Sequence, residues 1–361
     1  MNAIIQQAVG NVIEPVTQKT LSDLAVIKHC HLHRGELSIE VELGFPARGI
    51  YQSLAENIHQ AVSAIDGVEK VVIDVQSRIE AAPAMNQQSI AGVKNIIAVA
   101  SGKGGVGKST TSVNIALALA AEGARVGILD ADIYGPSQPH LLGVGERRPQ
   151  ITVVDSKQMM VPIDAHGIQS ISMGYLVTEQ TPVMWRGPMV SGALQQLLGQ
   201  TAWQNIDYLI IDMPPGTGDI QITLAQKVPV TGSLIVTTPQ DLALLDAKKA
   251  IEMFQKVSVP VLGVVENMSV HVCTQCGHAE PIFGEGGGQT IADNYHADFL
   301  GALPLDLSIR LDADAGLPSV AKDPDSPISA IYREVARKLA ANLWLRSKKS
   351  STPMSIEISD D

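Results

Sequence analysis

Residues 98–120 read AVASGKGGVGKSTTSVNIALALA, an apolar run, a glycine-rich turn and an Ala- and Leu-rich stretch in direct succession. That order dictates a strand, a tight loop and a helix, and it constrains what the loop can hold. Glycines let successive backbone N–H groups converge on phosphate oxygens, and the N-terminus of the following helix adds positive potential. Gly102, Lys103, Gly104, Gly105, Val106, Gly107, Lys108, Ser109 and Thr110 are therefore the expected phosphate-binding residues. Lys108 would neutralise β- and γ-phosphate charge and Ser109 would hold Mg2+. The glycines also fit a dinucleotide fingerprint, Gly102-x-Gly104-x-x-Gly107, with Asp130 near the offset of a ribose-binding acid. A dinucleotide loop has no need of Lys108-Ser109. Nor does it need DYLIIDMPPGTGD further on, where a strand ends in Asp212, a carboxylate placed to hold Mg2+ through water. Binding of a nucleoside triphosphate explains both features, and a glycine turn without a ligand explains neither. Because the Lys108 side chain is expected to meet phosphate rather than core, Lys108→Ala should abolish nucleotide function and spare the fold.

The rest of the chain supplies a frame for such a loop. NIIAVA, RVGILD, DYLIID, SLIVTTP, PVLGVVEN and FLGALP are short apolar runs separated by helical patterns, which implies an α/β fold with a mainly parallel sheet covered by helices on both faces. Ahead of it, Leu37, Ile39, Val41 and Leu43 alternate as in a half-buried strand. Ile50, Leu54, Ile58, Val62 and Ile65 fall at helical spacing, and VEKVVIDV forms a second strand after the Asp66-Gly67 turn. The expected organisation is a small α+β domain over residues 1–80, a linker over 81–94, an α/β domain over 95–345 and a disordered polar tail over 346–361. A formal net charge of −11 makes the surface a poor partner for nucleic acid or anionic lipid. No apolar run approaches the roughly 20 residues of a membrane span, and the N-terminus lacks the pattern of a signal peptide. Three cysteines cannot build a disulfide framework. The expectation is a cytoplasmic protein without stable membrane association.

Two further charges refine the phosphate site. Lys103 is extra to the ordinary loop pattern and can reach phosphates bound by a facing subunit, so a dimer that sandwiches its nucleotides is expected. In ILDADIYGPS, Asp130 and Asp132 follow a buried strand and should bring a carboxylate to the carboxyl edge of the sheet, where Asp132 would orient the attacking water. Turn formation or helix capping is the alternative use of such a pair. Elsewhere, HVCTQCGHAEPIFGEGG at 271–287 holds Cys273 and Cys276, two thiols of a site that normally takes four ligands. A dithiol redox site would want a helix after the pair, where this chain has loop formers, and a c-type haem would want His where Gly277 stands. An iron–sulfur cluster, a zinc ion shared by two chains, and a zinc ion completed by His271 and His278 all stay open on these residues.

GKGGVGKST together with LDADIYGPS resembles the deviant Walker ATPases, the group that includes ParA and MinD. With MWRGPM, DMPPGTGDIQ, TTPQDLALLDAKKAIEMF, VVENMS and CTQCG added, residues 95–345 resemble the Mrp/ApbC family of ATP-dependent iron–sulfur cluster carriers. Residues 1–80 resemble the small iron–sulfur-assembly domain often fused ahead of that ATPase. The resemblance implies an ATPase that takes ATP and Mg2+, with Lys103, Lys108 and Asp132 as catalytic residues and Asn267 as an adenine contact. It also implies a homodimer in which two copies of Cys273 and Cys276 surround one labile [4Fe-4S] cluster, exchanged with an assembly scaffold and iron–sulfur apo-proteins. The small domain departs from the pattern: many relatives carry a cysteine in a Gly-Cys-Pro turn, and this chain has Gly44-Phe45-Pro46, which speaks against cluster ligation there. Within the wider group the alternative is a positioning ATPase of the ParA/MinD kind with structural zinc at the cysteine pair, a reading that the acidic charge opposes.

Three other features have ordinary readings beside functional ones. His29, His31 and His33 share one face of a strand with Cys30 on the other, as a metal claw or a solvated face. SPISAIYREVARKLAANLWLRSKK sets Ile331, Val335, Leu339 and Leu343 on one side and basic residues on another, for packing on the sheet or for a membrane surface. The insertion from 134 to 203 carries Trp185-Arg186-Gly187-Pro188 before a helix start, as a dimer surface or a solvated turn.

Overall fold

A computed structural model describes residues 2–83, 89–176, 187–273 and 275–351. Its N-terminal part consists of α1 (Asn2–Gly10), a short α2 (Leu21–Leu24), β1 (Ile27–His33), β2 (Glu36–Leu43), α3 (Tyr51–Val62) and β3 (Lys70–Ser77). β2 lies in the middle of this sheet, antiparallel to β1 and parallel to β3. Its period of two decides its faces: Leu37, Ile39, Val41 and Leu43 are buried in one core with Leu54, Ile58 and Val62 of α3, and the intervening polar residues lie on the other face.

In the larger part, β4 (Val93–Ala100) runs through the glycine loop into α4 (Lys108–Ala121), followed by β5 (Val126–Asp130) and α5 (Gln138–Leu141). The long insertion folds as β6 (Ile151–Val154), β7 (Lys157–Met160), β8 (Ile163–Ala165), β9 (Ile168–Ser172) and α6 (Gly187–Gly199). Regular alternation resumes with β10 (Ile206–Asp212), α7 (Asp219–Lys227), β11 (Gly232–Thr237), α8 (Asp241–Lys256) and β12 (Val261–Glu266). A small hairpin, β13 (His271–Val272) and β14 (Ala279–Glu280), precedes α9 (Gly287–Asn294), β15 (Phe299–Ala302), α10 (Leu307–Asp314), α11 (Ser319–Lys322) and α12 (Pro327–Ser351). Eight strands form one sheet in the order β15-β12-β11-β4-β10-β5-β9-β8, with every neighbouring pair parallel except β8 and β9. The six apolar runs are β4, β5, β10, β11, β12 and β15, so the expected parallel sheet stands. β8 and β9 add a margin inside the insertion; three and five residues are too short to announce a period.

Both faces of the sheet are covered. Ile97 and Val99 of β4 enter a core shared with α4 and α12, and Ile96, Ala98 and Ala100 enter a second core with residues of α6, α7 and α8. α4 lies between sheet and α12, which is why Thr111 through Leu119 are all buried. Val335, Leu339 and Leu343 of α12 are buried as well, so the terminal helix uses its apolar side for packing. This helix continues to Ser351 and corrects the reading of 346–351 as tail. The Lys348 ammonium sits 4.5 Å over the Trp344 ring and donates to the Leu24 carbonyl, docking the polar end of the helix on the N-terminal part. Glu122, fully buried just past the end of α4, makes a second junction: it accepts from Gly49 N (2.7 Å), Arg333 Nε (2.7 Å) and Arg337 Nη1 (2.6 Å).

Candidate functional site

The loop after β4 depends on its glycines. Gly105 and Gly107 adopt φ of 84° and 80°, and a Cβ on Gly107 would overlap the Asn267 side chain. The amides from Gly104 to Thr110 donate to no backbone carbonyl among the described residues. They lie at the N-terminus of α4, where unpaired N–H groups and the helix dipole together favour an anion. This is a cradle that fits phosphate.

Strand register brings the acidic partners alongside. Asp212 ends β10 opposite Val99 of β4 and Asp130 of β5, at the carboxyl edge of the sheet. Asp212 is fully buried and accepts Lys108 Nζ at 2.6 Å and Ser112 Oγ at 2.9 Å on Oδ1, and Gln138 Nε2 at 2.9 Å on Oδ2. Lys108 also donates to Ser109 Oγ at 3.1 Å. Lys108 is only 6% exposed, which corrects the expectation that its side chain is independent of the core. In this state the ammonium neutralises a buried carboxylate, and its removal strands that charge. The Ser109 hydroxyl and the Asp212 carboxylate are hard oxygen donors beside the cradle, the chemistry that suits Mg2+.

The two aspartates after β5 divide their labour. Asp130 is buried and accepts the amides of Asp132 (3.1 Å), Ser137 (3.0 Å) and Gln138 (3.1 Å) and the Ser172 hydroxyl (3.0 Å), so it organises the turn. Burial, with the Asp212 charge adding, pushes its carboxyl up to about 7, and the donors from Gln138, Ser172 and Asp132 oppose that rise. Asp132 is half-buried and accepts from the Gly135 amide at 3.3 Å and from the Tyr134 amide; burial raises it, and the Lys108 charge opposes first. Lys103 lies on the loop with its ammonium in no ion pair among the described residues. Asn267 donates Nδ2 to the Val106 carbonyl at 2.9 Å, bracing the loop from the end of β12.

Cys273 and Cys276 sit in the turn of the β13–β14 hairpin, which leaves the sheet on the same edge. Cys273 N donates to His278 O and Gly277 N to Cys273 O, both at 2.9 Å, closing the turn. The backbone N–H groups of Cys276 and Gln275, then the Cys276 side chain, hold the Cys273 thiol below its usual value. Cys276 is exposed and Cys273 partly so. His271 Nδ1 lies 3.1 Å from the Leu305 carbonyl, and no three His, Cys, Asp or Glu side chains gather as a metal site among the described residues. Among the described residues His271 and His278 do not join the two thiols in a three-ligand group.

Other candidates resolve simply. His29, His31 and His33 do share an exposed face of β1, with ring centroids 6.0 and 6.4 Å apart, and make no three-ligand site. Phe45, in the Gly44-Phe45-Pro46 turn, is fully buried against Trp344. Trp185 and Arg186 lie outside the described residues, and α6 starts at Gly187. Sequence reasoning missed Ser112 and Gln138. Ser112 had a signal, since it lies one turn after Lys108 on the same helix face; Gln138 had none in its spacing.

Glycine loop, buried Lys–Asp pair and parallel sheet together define a P-loop NTPase. Residues 92–340 match the family described as ParA: NUBPL iron-transfer P-loop NTPase, and residues 2–75 match the iron–sulfur cluster assembly protein family. The iron–sulfur cluster carrier protein of Salmonella typhimurium is 50% identical over 345 residues, covering 95% of this chain and 93% of the relative. That of Pseudomonas fragi is 60% identical over 281 residues, 77% of this chain and 97% of the relative. Among solved structures, a nucleotide-binding protein from Archaeoglobus fulgidus in complex with ADP is 38% identical with a TM-score of 0.55, covering 62% of this chain and 87% of that one. The chain belongs to the iron-transfer P-loop NTPase family and carries an iron–sulfur-assembly domain ahead of the NTPase.

Proposed function

We propose that the chain is a dimeric, ATP-hydrolysing carrier that binds a labile [4Fe-4S] cluster between two copies of the Cys273–Cys276 turn and passes it to apo-proteins in a reducing, cytoplasmic compartment. The observation that carries this reading is the pair itself: two thiols in one turn, Cys276 exposed and Cys273 partly so and held below its usual value, with no third ligand among the described residues. A two-fold axis supplies the other two thiolates from the same patch of a second copy. At the nucleotide, Lys108 exchanges Asp212 for the β- and γ-phosphates, Asp132 orients the attacking water, and Lys103 reaches the partner's nucleotide. Bound Mg2+, held by Ser109 and through water by Asp212, supplies the charge that phosphoryl transfer needs. Asn267 turns from the loop toward adenine. The short stretch 267–273 then joins loop to cysteines, so a nucleotide that shifts Asn267 biases the hairpin and with it the affinity for the cluster.

The test is anaerobic reconstitution followed by native mass spectrometry and by iron, sulfide and zinc analysis. About four iron and four sulfide per dimer are expected. Cys273→Ser and Cys276→Ser should each abolish stable binding, because the symmetry removes two thiolates at once, and Cys30→Ser should leave it intact. A monomer that keeps a whole cluster, or zinc alone after reconstitution, sinks the bridged-cluster reading.

A further inference from the structure

Gln138 begins α5 and is fully buried, its side chain inserted between the first turn of α4 and the end of β10. Nε2 donates to the Asp212 carboxylate at 2.9 Å and to the Ser109 carbonyl at 3.1 Å. A carboxylate and a carbonyl can only accept, so chemistry fixes which way the amide points: nitrogen toward Asp212 and Ser109, oxygen away from both. That oxygen, Oε1, is buried and meets no donor among the described residues. Lys108 Nζ and Ser112 Oγ both point at Asp212, and the neighbouring Ser137 hydroxyl is likewise buried with no partner among the described residues. A buried acceptor left without a donor keeps its full desolvation penalty. Oε1 belongs to the amide whose nitrogen holds the two residues that suit Mg2+.

We infer that Gln138 is a positioning residue for Mg2+, its nitrogen orienting Asp212 and its oxygen accepting from a water on the ion. The inference rests on the reading of this site as one for Mg2+ and ATP. Magnesium dehydrates reluctantly and keeps several waters, which are strongly polarised donors. That is the chemistry Oε1 lacks. Once Lys108 leaves Asp212 for phosphate, Asp212 and Oε1 are two neighbouring acceptors left to one hydrated cation, and the amide that joins them holds both in place. Sequence spacing gives no hint of this, because Gln138 lies far along the chain from Ser109 and from Asp212.

Equilibrium binding of a fluorescent, slowly hydrolysed ATP analogue to the full chain tests the inference, measured in EDTA and across a Mg2+ titration. The variants are Gln138→Met, which keeps the length and removes donor and acceptor, and Gln138→Glu, which keeps an acceptor and removes the donor. Thermal unfolding of each nucleotide-free protein controls for the fold, which the nearly isosteric methionine should preserve. Metal-free affinity is expected within about twofold of the parent in both variants, since Gln138 meets the cradle only at the Ser109 carbonyl, an acceptor that offers phosphate no donor. Gln138→Met should raise the half-saturating Mg2+ concentration about tenfold, the loss of one hydrogen bond to a polarised donor, whereas Gln138→Glu should stay within about twofold of the parent. Parental Mg2+ dependence in Gln138→Met leaves Oε1 without a role, and an equal loss in both variants assigns Gln138 only to bracing Asp212; either result overturns the inference. A parent that binds no nucleotide would overturn the nucleotide reading first, and this inference with it.

Discussion

At single residues, the Lys108 ammonium and the fully buried Asp212 carboxylate compensate each other's charge in the nucleotide-free protein. The spacing of Lys108 in GKGGVGKST points to phosphate, yet nothing in that spacing says which group the ammonium meets beforehand. The structure gives the answer in its 2.6 Å pair with Asp212. Lys108→Ala should therefore lower the stability of the nucleotide-free protein by about 3 kcal/mol, because a buried carboxylate loses its cation. Lys108→Ala combined with Asp212→Asn should recover much of that loss. Urea unfolding of both variants checks this, and an unchanged midpoint in Lys108→Ala would show the pair to be irrelevant. The cysteines give a second residue-scale expectation. Amides of Cys276 and Gln275 lower the Cys273 thiol, whereas burial raises Cys30. The thiolate is the form that alkylates, so at a given pH more of Cys273 reacts. Residue-resolved iodoacetamide labelling across pH 6.5–9 should show Cys273 reacting ahead of Cys30 at every pH; the reverse order would contradict the hairpin geometry.

At the scale of elements, legibility follows burial. β4, β5, β10, β11 and β12 were readable because strands covered on both faces have unbroken apolar runs. β2 was readable because it is covered on one face and alternates. β8 and β9 were hidden by their shortness, and the far end of α12 by its polarity, which packs on Trp344 and Leu24 rather than on a continuous core. The junction at Glu122 was hidden for a further reason: its partners Gly49, Arg333 and Arg337 come from segments far apart in sequence. One buried carboxylate thereby ties the end of the loop-bearing helix to both the N-terminal part and α12. Glu122→Ala leaves two guanidinium groups and an amide without their acceptor and should cost about 3 kcal/mol. Because the broken tie lies between parts, urea unfolding followed by circular dichroism and by tryptophan fluorescence should give midpoints further apart than in the parent. Coincident midpoints at parental urea would show that the apolar core alone joins the parts.

At the scale of the whole molecule, the site is incomplete in one chain in two places: two thiols where four ligands are wanted, and a Lys103 ammonium that meets no carboxylate among the described residues. In the proposed dimer both gaps close by the same operation, a two-fold axis that sets the carboxyl edges of two sheets face to face. This has a consequence for mixed dimers. In the proposed dimer Asp132 serves the nucleotide of its own chain and Lys103 that of its partner, so Lys103→Ala and Asp132→Asn should each bind ATP within about twofold of the parent and hydrolyse it at least tenfold more slowly. In a dimer formed from one chain of each variant, the nucleotide on the Lys103→Ala chain is served by its own Asp132 and by the partner's intact Lys103. One of the two sites is whole again. An equal mixture, allowed to exchange subunits, should then recover about a quarter of the parental rate, since half the dimers are mixed and each has one working site. Steady-state ATP hydrolysis by the mixture, against each variant alone at the same total concentration, measures this recovery. A mixture no faster than its components would place Lys103 on the nucleotide of its own chain, and the face-to-face arrangement would lose its support from the phosphate site.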